Sequence, residues 1–215
     1  MASQLTKSSP YTASFTGAGM MFDETDIIIP LLLENDSREV INRLRDDADI
    51  LKIKAAKSRG TVTTEIVKRF HSMPRSFWEH YLQLEEKPRK VALFYAILKT
   101  YRLLFEFQIN LAIPKYNSPD RVLTKNDILM AFSEVASRDA LVDSWSDTTR
   151  DRASAAYLSM LRKTGLINAS TGELQTPPDL EDADLIWYIQ TGEIWFLQAC
   201  FYPGYKIEQL KQLAL

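Results

Sequence analysis

The sequence predicts an all-α protein of two helical lobes, with one small hairpin in the second lobe. Apolar residues recur at the spacing of a helix face through most of the chain, and the alternation typical of strands is almost absent. Prolines such as Pro74 and Pro88 fall where helices are expected to end or begin. The chain has 215 residues, of which 46 % are hydrophobic and 25 % charged, so it can bury one large core or two modest ones.

Four helices are predicted in the first half, after a flexible leader at residues 1–10. The first begins at Asp23 or Glu24, and the second is capped by Asp36 or Ser37. The fourth has a proline in its first turn and an apolar stripe, which is typical of a central core helix. The predicted bounds of the four helices are residues 23 or 24 to 33, 37–46, 63–73 and 88–111.

The clearest linker is the stretch of residues 114–119, which has a proline at each end. We place a domain boundary there, so the predicted lobes are residues 1–113 and residues 120–215. Thr124 caps the first helix of the second lobe, which extends to about Ser137. The end of the chain crowds aromatic residues together, a density typical of buried surface, and these residues are Trp187, Tyr188, Trp195, Phe196, Phe201, Tyr202 and Tyr205.

Residues 146–178 have the order expected of a winged helix-turn-helix. Ser146 is a suitable N-cap, Gly165 suits the left-handed residue that ends a helix, and the apolar residues between them lie on one helical face. A hairpin follows, because two short segments flank a loop at residues 168–172 and two prolines stop the second segment. This order points to DNA, and the alternative is an ordinary core helix followed by a surface hairpin. The basic side chains of the helix lie largely off its apolar face, and they are Arg150, Arg152, Arg162 and Lys163.

A second basic stretch lies in the first lobe between Lys52 and Arg69, where Glu65 is the only acid. Its hydroxyls are suited to donate to phosphate oxygens at the start of a helix, where free amides favour anions. The alternative is a solvated, mobile loop rich in lysine.

In the helix that follows Ser146, Arg152 is the best candidate for contact with a base edge. The residues that we predict to contact DNA are Lys52, Lys54, Lys57, Arg59, Thr63, Lys68, Arg69, Arg150, Arg152 and Lys163.

Catalysis finds little support in the sequence. His71 and His80 are the only histidines and Cys200 is the only cysteine, so no spacing typical of a metal site occurs. The glycines at positions 17 and 19 lack the lysine and hydroxyl residue of a phosphate-binding loop, and the chain has no nucleophile elbow. We therefore expect a protein that is not an enzyme and that uses no metal or cofactor.

Charge and targeting features limit the partners and the compartment. The formal net charge is -2, so any nucleic-acid surface must be a local basic patch. The apolar runs are shorter than the roughly 20 residues that span a bilayer, which predicts no membrane partner. A single cysteine and the absence of a secretory leader make the cytoplasm the expected compartment.

Three segments of the sequence resemble the BrxA family of BREX (bacteriophage exclusion) defence systems. The block at residues 11–24, YTASFTGAGMMFDE, is similar to the family's opening. The segment at residues 99–107, KTYRLLFEF, is similar to its central Lys-x-Tyr...Glu-Phe helix, and the segment at residues 161–167, LRKTGLI, to its late Leu-Arg-x-x-Gly-Leu element. The resemblance extends to about residue 178.

The resemblance implies a small helical accessory protein that binds DNA without enzymatic activity. Such a protein acts beside the methyltransferase, ATPase and phosphatase-like subunits of the defence system. The family is also similar to NusB, an RNA-binding antitermination factor, which implies an alternative RNA-binding function.

The function predicted from these observations is binding of duplex DNA mainly through phosphate contacts, without obvious base specificity. The first alternative is a protein-binding adapter. In this alternative, the aromatic tail and the apolar stretch from Phe15 to Met21 would dock on another BREX subunit or on a second copy of the chain. The second alternative is RNA binding, because phosphate recognition looks alike for both nucleic acids.

Overall fold

A computed structural model describes residues 9–214, and this part of the chain is helical almost throughout. No strand longer than an isolated β-bridge occurs between residues 9 and 214, so the predicted all-α class is confirmed. None of the described helices is both long and apolar enough to cross a bilayer. A π-helical segment (Gln108–Ala112) lies between two of the α-helices. The α-helices are α1 (Phe15–Ala18), α2 (Phe22–Glu34), α3 (Ser37–Asp46), α4 (Ala48–Leu51), α5 (Ala56–His71), α6 (Arg75–Tyr81), α7 (Glu86–Thr100), α8 (Arg102–Phe107), α9 (Ile113–Tyr116), α10 (Lys125–Ala136), α11 (Ala140–Asp143), α12 (Asp147–Lys163), α13 (Asp182–Gln190), α14 (Ile194–Ala199) and α15 (Gly204–Leu213).

The single long helix predicted over residues 88–111 is interrupted at Tyr101. Helix α7 ends just before this residue, whose backbone is extended with φ -119° and ψ 101°, and α8 begins just after it. The Tyr101 ring packs edge-on against Phe15 at 5.4 Å, and its hydroxyl donates to Glu65 at 2.5 Å. These contacts with distant parts of the chain fix the break. The predicted linker is also partly helical, because α8, the π segment and α9 continue to Tyr116.

The aromatic tail is mostly buried and packs on helices of the first half. Trp187 and Tyr188 on α13 meet Tyr95 on α7 with ring centroids 6.0 and 5.5 Å apart. Trp187 also contacts Phe77 on α6 at 5.5 Å. One core of buried side chains thus extends through the described residues. The boundary between lobes stays a prediction, but the tail packs with the helices that precede that boundary.

Buried Gln108 of the π segment fixes α12 to the centre of the fold. Its amide oxygen accepts a hydrogen bond from the Tyr157 hydroxyl on α12 at 2.6 Å. Its amide nitrogen donates to the carbonyl oxygen of Ala199 on α14 at 2.5 Å. Both polar ends of the buried side chain are therefore satisfied, and the outer face of α12 is held in a defined orientation.

The predicted hairpin follows α12. Gly165 has a φ of 76°, and a Cβ atom there would lie 2.7 Å from Cδ of Pro178, so both conformation and space require glycine. The hairpin loop closes through the Asn168 amide, which donates to the Glu173 carbonyl at 2.8 Å. Isolated antiparallel bridges join the two arms to each other and the second arm to the segment before α10, pairing Ile167 with Leu174 and Glu173 with Val122.

Candidate nucleic-acid interface

Helix α12 presents a continuous strip of exposed or half-exposed side chains. Ser146 caps the helix by accepting a hydrogen bond from the Thr149 amide at 3.3 Å, as predicted. The opposite face, including Tyr157, is buried in the core. The outer residues recur at helical spacing over about 22 Å, and they are Thr148, Arg152, Ala155, Ser159, Arg162 and Lys163.

This α12 strip is positively charged. Arg152, Arg162 and Lys163 form no ion pair with any residue between 9 and 214. The adjacent acid, Asp151, is neutralised by Lys125 of α10 at 2.8 Å. Because the side chains at positions 155 and 159 are small, a phosphate backbone has room to approach the helix closely. The arrangement is that of an anion-binding surface.

The structure corrects the role predicted for Arg150. Its side chain is only 21 % exposed and its guanidinium points away from the α12 strip. The Nη2 atom donates to the carbonyl oxygens of Asp143 at 2.8 Å and Val142 at 3.4 Å, and Nε is buried without a hydrogen-bond partner among the described residues. Arg150 therefore holds the short helix α11 against α12 and does not reach a ligand on the strip.

Three of the predicted phosphate contacts in the first lobe are also corrected, because their polar groups are buried and used internally. Arg59 is 5 % exposed, and its guanidinium donates to carbonyl oxygens at the end of α3 and in the turn before α5. Arg69 is fully buried and donates to the carbonyl oxygens of Met20 and Gly19 at 2.6 and 2.7 Å. Thr63 lies inside α5, which begins at residue 56, and its hydroxyl donates to the Arg59 carbonyl at 2.9 Å.

The lysines predicted in the same stretch remain exposed. Lys52, Lys54, Lys57 and Lys68 form no ion pair with any described residue. Lys52 occupies the left-handed region with φ 54°, in a turn that the Arg59 guanidinium holds closed. The outer face of α5 forms a second strip, free of acids, made of Lys57, Thr61, Thr64, Lys68 and His71.

The residues of the N-terminal and central motifs bind one another inside the protein. The hydroxyl of Tyr11 donates to the Glu106 carboxylate at 3.0 and 3.1 Å, and Arg102 and Arg138 complete the partners of that carboxylate. Burial, together with the neighbouring Glu106, raises the pKa of Tyr11. The Glu65 carboxylate accepts from Tyr101 and also from Ser14 at 3.1 Å. These motifs therefore dock the N-terminal segment onto the central helices.

The stretch proposed as an adapter surface is buried in the chain's own core. Phe15 is 0 %, Met20 2 % and Met21 8 % exposed, so this stretch offers no free apolar face to a partner. The aromatic tail likewise presents little surface, with Tyr205 at 77 % exposure as the exception. These two segments therefore offer little apolar surface for docking, and the adapter alternative stays a prediction.

A groove of about 450 Å³ lies between α12 and the stretch from Thr16 to Glu24. Arg152 and Lys163 line one wall, while Asp23 and Glu24 from the first turn of α2 line the other. The acidic wall stabilises the N-terminus of α2 through its macrodipole. It also places negative charge beside the α12 strip, which limits how a polyanion can approach.

Sequence reasoning missed exposed, unpaired cations at three positions, Arg38 and Arg43 on α3 and Arg121 beside the hairpin. The Arg121 guanidinium lies 4.6 Å from the ring centroid of Tyr116, and its carbonyl oxygen accepts from the Leu174 amide at 2.9 Å. Only its position next to the predicted linker and hairpin marks it in the sequence. Between residues 9 and 214, no group of three or more His, Cys, Asp or Glu side chains is arranged to hold a metal ion.

A family model and a curated relative name the same family. A family model described as BrxA matches residues 9–183. The curated "BREX protein BrxA" of Bacillus cereus (strain H3081.97) is 19 % identical over 186 residues, covering 86 % of this chain and 93 % of the relative. The fold is similar to the crystal structure of an uncharacterized protein from Magnetospirillum magneticum, with a TM-score of 0.75 and 19 % identity over 89 % of this chain and 98 % of that one.

Proposed function

The chain belongs to the BrxA family of BREX phage-defence proteins, and we propose that it binds duplex DNA as a non-enzymatic component of such a system. One observation carries the proposal. Ten exposed lysines and arginines of the described residues form no ion pair, and all ten fall in two stretches of the chain, residues 38–68 and 121–163. These unpaired cations are Arg38, Arg43, Lys52, Lys54, Lys57 and Lys68 in the first stretch, and Arg121, Arg152, Arg162 and Lys163 in the second.

The binding mechanism is neutralisation of phosphates by these cations, with release of the counterions that the phosphates had condensed. The α12 strip is the main contact, and Arg152, near the N-terminal end of the strip, is the residue that we propose to contact a base edge. The segment around Val122, which pairs with the hairpin, is followed along the chain by α10, α12 and the hairpin itself. This is the order of a winged helix, and it supports the proposed use of α12. Since the net charge is -2, attraction must come from the local patch.

The test is fluorescence anisotropy with two duplexes of unrelated sequence across a salt series. We expect both to bind with a Kd of about 10⁻⁴ to 10⁻⁶ M at physiological salt and to weaken steeply as salt rises. Arg152→Ala with Lys163→Ala should weaken both duplexes. The matched control is Lys87→Ala with Lys211→Ala, which removes the same charge at positions that are paired with Asp179 and Glu208. Salt-insensitive binding, or equal loss in the control, contradicts the mechanism.

Single-stranded DNA and structured RNA serve as competitors in the same assay. Stronger competition by RNA than by unlabelled duplex would replace duplex DNA with RNA as the ligand. For the absence of enzymatic activity, we expect no turnover of DNA, RNA, ATP or S-adenosylmethionine with divalent metals that follows the protein through an independent column. Turnover that co-purifies with the protein and disappears in a misfolded variant would make it an enzyme.

A further inference from the structure

The two basic strips both adjoin helix α1. Lys68, on the α5 strip, donates from Nζ to the Ser14 hydroxyl at 3.2 Å, just before α1 begins. Thr16 of α1 and Arg152 of the α12 strip line the same groove. Helix α1 packs against both α5 and α12. The exposed side chains of two stretches that are distant in sequence therefore meet across one short helix.

The exposed side chains at α1, between the two strips, are small and uncharged. Ser14 just before α1, and Thr16 and Gly17 within it, are exposed or half-exposed, and none of them carries a charge. A Cβ atom built on Gly17 would meet no atom within 4 Å, so the space above α1 is open. The side chains at positions 14, 16 and 17 therefore leave room for a polyanion that spans from one strip to the other.

The two strips are close enough for one duplex to span them. Packed helices lie about 8–10 Å apart, so the axes of two helices that both pack on α1 are at most about 16–20 Å apart. With a rise of about 3.4 Å per base pair along each strand, this distance corresponds to about five or six base pairs. Each strip itself extends about 21–22 Å along its helix. A single duplex of one to two helical turns is therefore long enough to contact both strips.

We infer that the α5 strip and the α12 strip form one continuous face, with α1 as its floor, that takes a single duplex across both halves of the chain. The inference rests on the proposed function and adds to it which surfaces act on the same ligand. The carboxylates of Asp23 and Glu24 line the far wall of the groove and repel phosphates. The duplex consequently lies over α1 and the strips and does not enter the groove.

The decisive experiment combines variants of the two strips on a 16-base-pair duplex. The pairs are Lys57→Ala with Lys68→Ala on α5, and Arg152→Ala with Lys163→Ala on α12. We expect each pair to reduce the slope of log affinity against log salt by about 1.8, and all four changes together to reduce it by about 3.6. Saturation should occur at one duplex per protein, and the thermal midpoint of each pair should be unchanged.

A negative charge introduced on α1 tests the same face without removing a cation. Gly17→Glu should weaken duplex binding about fivefold, which is the effect of one like charge near a phosphate in water. The matched control is Gly204→Glu in α15, where a Cβ atom also has open space and which packs mainly on α13 and α14. This control should leave affinity unchanged.

The outcomes separate the inference from the proposed function. If the α12 pair lowers the salt slope while the α5 pair and Gly17→Glu have no effect, the single face is wrong and DNA binding by α12 stands. Two duplexes per protein at saturation would also overturn the single face. If the wild-type protein fails to bind any duplex, both proposals fall together.

Discussion

The guanidinium of Arg59 binds the carbonyl oxygen of Arg45 twice, through Nε at 2.9 Å and through Nη2 at 2.5 Å. The same side chain donates to the carbonyl oxygens of Leu44, Ile53 and Lys54. One buried cation thus caps the C-terminal end of α3, where its charge favours the helix macrodipole, and closes the turn before α5.

We predict that Arg59→Ala lowers the free energy of unfolding by about 2–4 kcal/mol, because several buried carbonyl oxygens lose a charged donor at once. Chemical denaturation followed by circular dichroism measures the change. Lys57→Ala, two residues earlier and exposed, should cost no more than about 0.5 kcal/mol. Equal stability of the two variants would show that Arg59 is not a structural residue.

Arg152 and Tyr157 on the same helix should separate binding from stability. Arg152→Ala removes an exposed, unpaired cation and should change stability by no more than about 0.5 kcal/mol while weakening duplex binding. Tyr157→Ala removes a fully buried ring that binds Gln108 and should cost about 3–5 kcal/mol. Denaturation and anisotropy on each variant measure both effects. If Arg152→Ala destabilises the fold and leaves binding intact, the interpretation of the α12 strip is wrong.

Arg121 is predicted to be a further phosphate contact beside the hairpin. Its guanidinium is held over Tyr116, whose ring in turn stacks on Phe201 at 4.5 Å, so the cation loses little freedom when it binds. Arg121→Ala should reduce the salt slope of duplex binding by about 0.9, the value for one phosphate. Lys87→Ala should not change the slope. An unchanged slope in Arg121→Ala would exclude this residue from the interface.

Local signals in the sequence predicted the features that depend on neighbouring residues. Ser146 and Gly165 mark the two ends of α12 as expected. An N-cap hydroxyl and a left-handed glycine each end a helix through hydrogen bonds to residues only a few positions away. The hairpin after Gly165 was predictable for the same reason. By contrast, the break at Tyr101 depends on Phe15 and Glu65, which lie far away in sequence.

Among the predicted site residues, the lysines are exposed, whereas most of the arginines are turned inward. The lysines at positions 52, 54, 57, 68 and 163 are exposed, whereas Arg59, Arg69 and Arg150 turn inward. A planar guanidinium with several fixed donors can satisfy two or more buried carbonyl oxygens, while an ammonium group is strongly hydrated and stays in water. The carbonyl partners are set by the tertiary fold, so sequence alone could not distinguish these arginines from the exposed Arg152.

Tyr101 should make stability depend on pH in the alkaline range. Burial raises the pKa of Tyr101 to about 12 from 10.0, and the nearby Glu65 contributes in the same direction while Arg69 opposes it. A raised pKa means that the folded state favours the neutral phenol. The resulting stability is fully present below pH 10 and is lost as the pH rises through about 12, a loss of about 2–3 kcal/mol.

The measurement is chemical denaturation at several pH values between 9 and about 12. Tyr101→Phe should show a smaller loss of stability over this range than the wild type, although other buried tyrosines still contribute. Tyr205→Phe is the matched control, since Tyr205 is 77 % exposed, and it should follow the wild type. A Tyr101→Phe profile parallel to the wild type would contradict the coupling.

The acidic wall of the groove should limit the affinity of the α12 strip for DNA. Asp23 and Glu24 face Arg152 and Lys163 across the groove without forming an ion pair, so their negative charge also acts on an approaching phosphate backbone. Asp23→Asn with Glu24→Gln should therefore raise duplex affinity about twofold at low salt, and the gain should disappear at high salt, where such distances are screened. The same pair should lower stability by about 0.5–2 kcal/mol, because both acids lie in the first turn of α2. Glu79→Gln with Glu208→Gln removes the same charge elsewhere and should not raise affinity to the same extent. If the two pairs raise affinity equally, only net charge matters and the position of the acidic wall has no effect on binding.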